Sequence, residues 1–182
     1  MENATATTVK TKWLLDPAHS ELLFKVKHLM ISNVKGEFKN FTAEINGENL
    51  ESSTVKATID SASIFTNNED RDNHLKSADF FDVENHKEIV FVSTAFKREK
   101  GDNYLLTGKL TIKGVSNEIA LQVEFGGINK DPWGNEKAGF SITGTINRKD
   151  WGLNWNAALE TGGVLVSEEV RIIGEVQFVK AK

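Results

Sequence analysis

The feature that most constrains this chain is a period of two. Leu22, Phe24 and Val26 alternate with Glu21, Lys25 and Lys27, and the same alternation recurs in runs bounded by turn residues. A second run passes Val34, Gly36 and Phe38 and resumes as Phe41, Ala43, Ile45; the three-residue step from Phe38 to Phe41 breaks parity, which in a strand means a bulge and a bend. Further runs are Val55-Ala57-Ile59, Ile89-Phe91, Tyr104 to Ile112, Ile119 to Phe125, Phe140 to Ile146 and Val170 to Phe178. Eight runs joined by hairpin-sized gaps, such as Lys100-Gly101-Asp102-Asn103, predict an all-β fold: an eight-stranded antiparallel, up-and-down barrel.

A single short helix is expected between the third and fourth strands. Asn67 to Phe81 opens on acidic residues and closes on Phe80-Phe81, with one of the two rings turned to the barrel interior and the other anchoring the helix as a lid. A weaker helical signal covers Asn154 to Glu160, ended by Gly162-Gly163, and Gly126-Gly127 reads as a turn at a strand end. No repeat or linker divides the chain, so residues 1–11 are read as a polar tail and 12–182 as one barrel domain.

An eight-stranded barrel is at the size where side chains either fill the interior or leave room for one ligand. Gly108, Gly144 and Gly174 each sit between larger apolar residues on a core face, where a glycine marks either relief of curvature or close approach of a ligand. The inward positions are aliphatic or Phe, with 11 Phe and 1 Tyr in the chain, so a ligand there is held by burial: at about 0.8 kcal/mol per CH₂, a long hydrocarbon suits it better than a sugar or nucleotide.

Composition narrows the alternatives. A formal charge of −4 leaves no basic surplus for a phosphate backbone, so nucleic acid is not an expected partner. With no cysteine, disulfides, thiolate metal sites and a cysteine nucleophile are excluded. Nowhere do about 18 apolar residues run together, so no transmembrane segment is expected. The polar start carries no signal-peptide pattern; a cytoplasmic location is expected from the sequence as written, and a periplasmic one if a leader preceded Met1.

Several motifs in order resemble the YceI-like family of lipid-binding proteins: Trp13 to Ser20, Phe24 to His28, Val34 to Phe38, Arg71 to Leu75, Asp79 to Asp82, Gly108 to Gly114 and Arg148 to Leu153. The resemblance spans residues 12 to 179. It implies a lipocalin-like barrel with a long internal pocket for polyisoprenoid or related long-chain amphiphiles, it brings no firm catalytic residues, and many but not all members are exported.

The expected lining follows from parity. Phe24, Val26, Phe38, Phe41 and Ile45 lie on the first two strands; Phe91, Leu106, Gly108, Leu110, Phe140, Ile142 and Gly144 lie on later ones; Phe80 and Phe81 sit at the lid. His28 shares the inward parity near a strand end, as a hydrogen-bonded core residue or a head-group contact. Arg148 has the parity of Ile146, and a buried guanidinium requires a carboxylate, with Asp150, Glu168 and Asp16 as candidates for an ion pair closing one barrel end; the alternative is a contact to the head group of a ligand. Trp133, Trp151 and Trp155 either plug the barrel end or reach a membrane or a dimer partner. No cofactor or metal is expected, since no pair of histidines stands at a helical ligand spacing. The expectation is therefore non-catalytic binding, storage or transport of an isoprenoid-type lipid. The alternatives are an enzyme acting on a prenyl lipid through Arg71, Asp72 and His74, and a structural or stress-related module with a filled barrel.

Overall fold

The computed structural model describes residues 11–160 and 162–182. It contains β1 (Lys12–Leu15), β2 (Glu21–His28), β3 (Ser32–Phe38), β4 (Phe41–Asn46), β5 (Thr54–Asp60), β6 (Ile64–Phe65), α1 (Glu69–Lys76), β7 (Glu88–Lys100), β8 (Asn103–Ile112), β9 (Val115–Lys130), β10 (Glu136–Asn147) and β11 (Val166–Lys180). All pairings are antiparallel.

Two local breaks turn these segments into eight barrel staves. β1 and β2 are halves of one stave, both paired to β11, with Leu15 opposite Phe178 and Phe24 opposite Ile172. Pro17, which has no N–H to give a ladder, stands in the break, and Asp16 caps it by accepting from the Ala18 N–H at 3.1 Å. β3 and β4 are likewise halves of the second stave, separated at Lys39-Asn40, where the parity step from Phe38 to Phe41 requires a bend. The remaining staves follow in chain order, and the β1–β11 and β2–β11 ladders close an eight-stranded barrel. The first stave begins at Lys12, ten residues before the alternation starting at Leu22 reveals it.

Strand grammar holds most strictly in β8, where Tyr104, Leu106, Gly108, Leu110 and Ile112 are buried and the residues between them are not. The β8–β9 hairpin turns on Lys113 (φ 54°) and Gly114 (φ 77°), the left-handed pair that matches strand twist. Gly126-Gly127 is not a turn: β9 runs on to Lys130, and the ladder to β10 shifts register there, so the pair forms a bulge that bends the barrel.

α1 is the single α-helix among the described residues. Asn68 caps it by accepting from the Arg71 N–H at 3.0 Å, and Glu69, Asp70 and Asp72 occupy its first turn. It ends at Lys76, before the phenylalanine pair, so Phe80 and Phe81 project from the turn that follows. Residues 154–160 form no helix. The Asn156 side chain clamps Val166 from both sides, donating to its carbonyl at 2.7 Å and accepting from its N–H at 3.1 Å, which holds this segment as a loop against the start of β11.

Candidate lipid-binding site

The barrel is packed at one end and hollow at the other. At the packed end Phe140 lies between Phe125 and Phe178, with ring centroids 5.2 and 5.7 Å away, and Phe96 meets Tyr104 edge-on at 5.3 Å. Ile45 is buried in the same packing. Above this plug a cavity of about 550 Å³ runs up to the end that carries α1, well within the range of small-molecule pockets. A filled barrel is therefore not what this sequence makes.

Phe24, Val26, Phe38, Phe41, Phe91, Leu106, Leu110 and Ile142 form the cavity wall, and His28, Phe80 and Phe81 line it nearer the α1 end. Both phenylalanines of the pair line it: Phe81 meets Phe38 edge-on at 5.9 Å, while Phe80 packs on Trp155 at 5.5 Å. Helical geometry, which would turn only one of the two rings inward, ends at Lys76.

Four expected lining residues lie elsewhere. Ile45 and Phe140 face inward but belong to the plug. Gly108 and Gly144 do not border the cavity, because a neighbouring strand already fills the space a side chain would take. A Cβ on Gly108 would stand 2.6 Å from the Phe91 ring and 2.5 Å from the Val92 carbonyl, and one on Gly144 2.5 Å from Leu121 Cδ2. These glycines are seats for large side chains. Gly174, by contrast, does border the cavity.

The wall also includes residues beyond the expected lining. Val170, Ile172, Val176 and Phe178 present one continuous face of β11 to the cavity, a face visible in the alternation itself. Leu153 and Trp155 come from the loop after β10 and carry no periodic signal.

Polar groups gather at the α1 end: Thr66, Asp70, Arg71, His74 and Arg148 border the cavity there. Their mutual geometry is structural. Asp72 is buried and accepts from the Thr66 N–H at 2.9 Å and its hydroxyl at 2.5 Å; Arg71 donates to the Thr66 hydroxyl and carbonyl, each at 2.7 Å. His74 Nε2 lies 2.9 Å from Asp79 Oδ2, and its ring stands edge-on to Trp155 at 4.6 Å. Arg71 and Asp72 thus share Thr66 as their partner, and His74 is engaged apart from them by Asp79. Among the described residues, no group of three His, Cys, Asp or Glu side chains is placed to hold a metal ion.

Arg148 is 4 % exposed, and its partners are main-chain carbonyls rather than the expected carboxylate. Its guanidinium donates to Ser167 at 2.9 Å, Leu153 at 2.5 Å, Trp155 at 2.9 Å and Val166 at 3.3 Å. Burial lowers its pKa, with the field of Glu168 opposing. One side chain therefore ties the loop after β10 to the start of β11. Of the late tryptophans, Trp151 is a plug, buried with its indole donating to the Leu110 carbonyl at 2.8 Å, whereas Trp133 is 82 % exposed on the β9–β10 turn.

The model of the YceI-like domain matches residues 13–178. The chain belongs to the YceI-like family. A UPF0312 protein from Staphylococcus aureus strain MSSA476 is 45 % identical to this family member over 171 residues, covering 92 % of the chain and 97 % of that protein. The crystal structure of a Campylobacter jejuni YceI protein superposes with a TM-score of 0.74 at 34 % identity, over 86 % of this chain and 90 % of that one. A polyisoprenoid binding domain from Saccharophagus degradans, at 15 % identity, shares the fold with a TM-score of 0.68 over 93 % of this chain and 98 % of its own. No helix among the described residues of this YceI-like chain is long and apolar enough to cross a membrane.

Proposed function

We propose that this YceI-like protein binds the tail of a long isoprenoid-type lipid in the barrel and serves as a carrier or reservoir without transforming it. The observation that carries the reading is the division of the cavity: aliphatic and Phe side chains along its length, and charged or polar groups only at the α1 end. A hydrocarbon in the wall region gains by burial alone, and a polar head is left at the end where hydrogen-bonding groups stand. The name of the S. degradans domain, a polyisoprenoid binder of the same fold, supports the choice of ligand class. The commitment of Arg71 and Asp72 to Thr66, and of His74 to Asp79, favours a carrier over an enzyme, because acid-base catalysis needs such groups available to one reacting atom.

Mass spectrometry of an organic extract of the purified protein tests the reading. A co-purified prenyl compound that emerges at unchanged mass after prolonged incubation with stoichiometric protein is the expected result. Absence of any lipid together with no uptake of fluorescent prenyl probes would reject binding, and a mass change on incubation would reject the carrier in favour of the enzyme.

A further inference from the structure

The β2–β3 turn is built in a costly way. Its central residues, Leu29 and Met30, have φ values of 53° and 63°, the left-handed region that disfavours large side chains. Elsewhere the barrel meets the same demand with Lys113-Gly114. The residues held in this turn are also apolar and exposed: Leu29 at 40 %, Met30 at 49 % and Ile31 at 82 %. Met30 rests in part beside Gly163, and what stays exposed, above all Ile31, is apolar surface that the barrel itself does not cover.

Charge indicates what that is. From Lys25 to Lys35 the hairpin carries Lys25, Lys27 and Lys35 and no acidic residue, in a chain whose formal charge is −4. Lys25 stands directly opposite Lys35 on one side and Arg171 on the other, a row of three cations across β3, β2 and β11. Like charges in register destabilise a sheet unless an anion meets them. Among the described residues none of these four cations lies within 4 Å of a carboxylate; of the nearby acids on β11, Glu168 is held by Lys149 at 2.8 Å and Glu169 stands in the bulge. The tip adjoins the cavity, since His28 lines it and the Leu29 N–H donates to the carbonyl of Leu165, another lining residue, at 2.8 Å.

We propose that the β2–β3 tip docks on an anionic phospholipid surface. Leu29, Met30 and Ile31 enter the boundary between head groups and acyl chains, and the cationic row meets the phosphates, an arrangement that combines apolar insertion with electrostatic attraction. Docking brings the cavity end beside the tip to the bilayer. This mode requires the barrel to tilt toward its β2–β3 side, which holds the acidic first turn of α1 away from the phosphates. The inference extends the lipid-binding reading but does not depend on it, because attachment to vesicles and uptake of a prenyl probe are separate measurements.

The test is co-flotation of the full chain with phosphatidylcholine vesicles, with and without phosphatidylglycerol. The protein is expected to float with the anionic vesicles, to float little with the neutral ones, and to be released by high salt. Lys35→Gln should weaken binding roughly fivefold, the share of one juxtamembrane cation, and Ile31→Asp at least tenfold. Neither residue lines the cavity, so both variants should take up a prenyl probe as the wild type does while acquiring it from anionic vesicles more slowly. Wild-type protein that stays at the bottom of the gradient, or variants that float as it does, would overturn the proposal even if the probe is bound normally.

Discussion

Phe178→Ala probes the floor of the cavity. Phe178 is 5 % exposed, borders the cavity, and rests edge-on against Phe140 in the plug. Removing its ring should cost the unliganded protein about 3–5 kcal/mol, the range for a large-to-small change in a core. It should also deepen the cavity by the space of six ring carbons, enough for one five-carbon isoprene unit. In the wild type, each added unit that fits gains about 4 kcal/mol gross at 0.8 kcal/mol per CH₂. If two-thirds of that is lost to ordering, about 1.3 kcal/mol remains, or close to tenfold in affinity per unit. Affinity should therefore climb with chain length and stop climbing once the tail meets Phe178. Competition of prenyl alcohols of graded length against a fluorescent probe locates the break; in Phe178→Ala it should fall one unit later. Phe38→Trp, which thickens the wall, should move it earlier at the roughly 1–3 kcal/mol stability cost of overpacking. Phe140→Ala, one layer behind the floor, should lower stability with little change in the break. A break at the wild-type length in both Phe178→Ala and Phe38→Trp would refute the assignment of floor and wall.

Substitutions at two further positions test the polar framework. Arg148→Met removes the guanidinium from four carbonyls, of which that of Val166 keeps Asn156 as a donor, and should cost roughly 3 kcal/mol or more, read as a fall of about 6–12 °C in Tm for a chain of this size; Arg148→Lys should recover only part, since an ammonium cannot span the same fork. Asp16 accepts from Lys137 at 2.6 Å and faces His19 at 2.9 Å, and these contacts hold its pKa at about 2, below its ordinary 3.8. A depressed carboxyl pKa contributes stability that is present above pH 3.8 and lost as pH falls through about 2. Screened near the surface, the contribution is about 1 kcal/mol. Asp16→Asn should be less stable by that amount in urea titrations at neutral pH, and the gap should close on acidification; a gap unchanged down to pH 2 would refute it.

The difference between what was legible in the sequence and what was not has a physical basis. Alternation reports which side of a strand faces inward, so the eight staves, the bend after Phe38 and most of the wall could be read directly. It does not report depth along the barrel. Ile45 and Phe38 carry the same inward signal, yet one is plug and the other wall, because depth depends on the stagger between strands and on which rings meet across the lumen. Glycine is ambiguous for a related reason: the space over Gly108 belongs to Phe91, two ladder positions along the adjacent strand, which no reading of β8 alone contains. Arg148 shows the limit most sharply. Burial of a guanidinium does require compensation, and in a sequence only carboxylates are visible as candidates, while any residue of a loop can offer a carbonyl. Here the fold aims four of them at one side chain, from Leu153, Trp155, Val166 and Ser167, and so fixes the loop that carries Trp155 to the cavity. The polar end of the cavity thus depends on main-chain geometry that side-chain identity cannot announce, whereas the apolar end depends on apolar area, which it can.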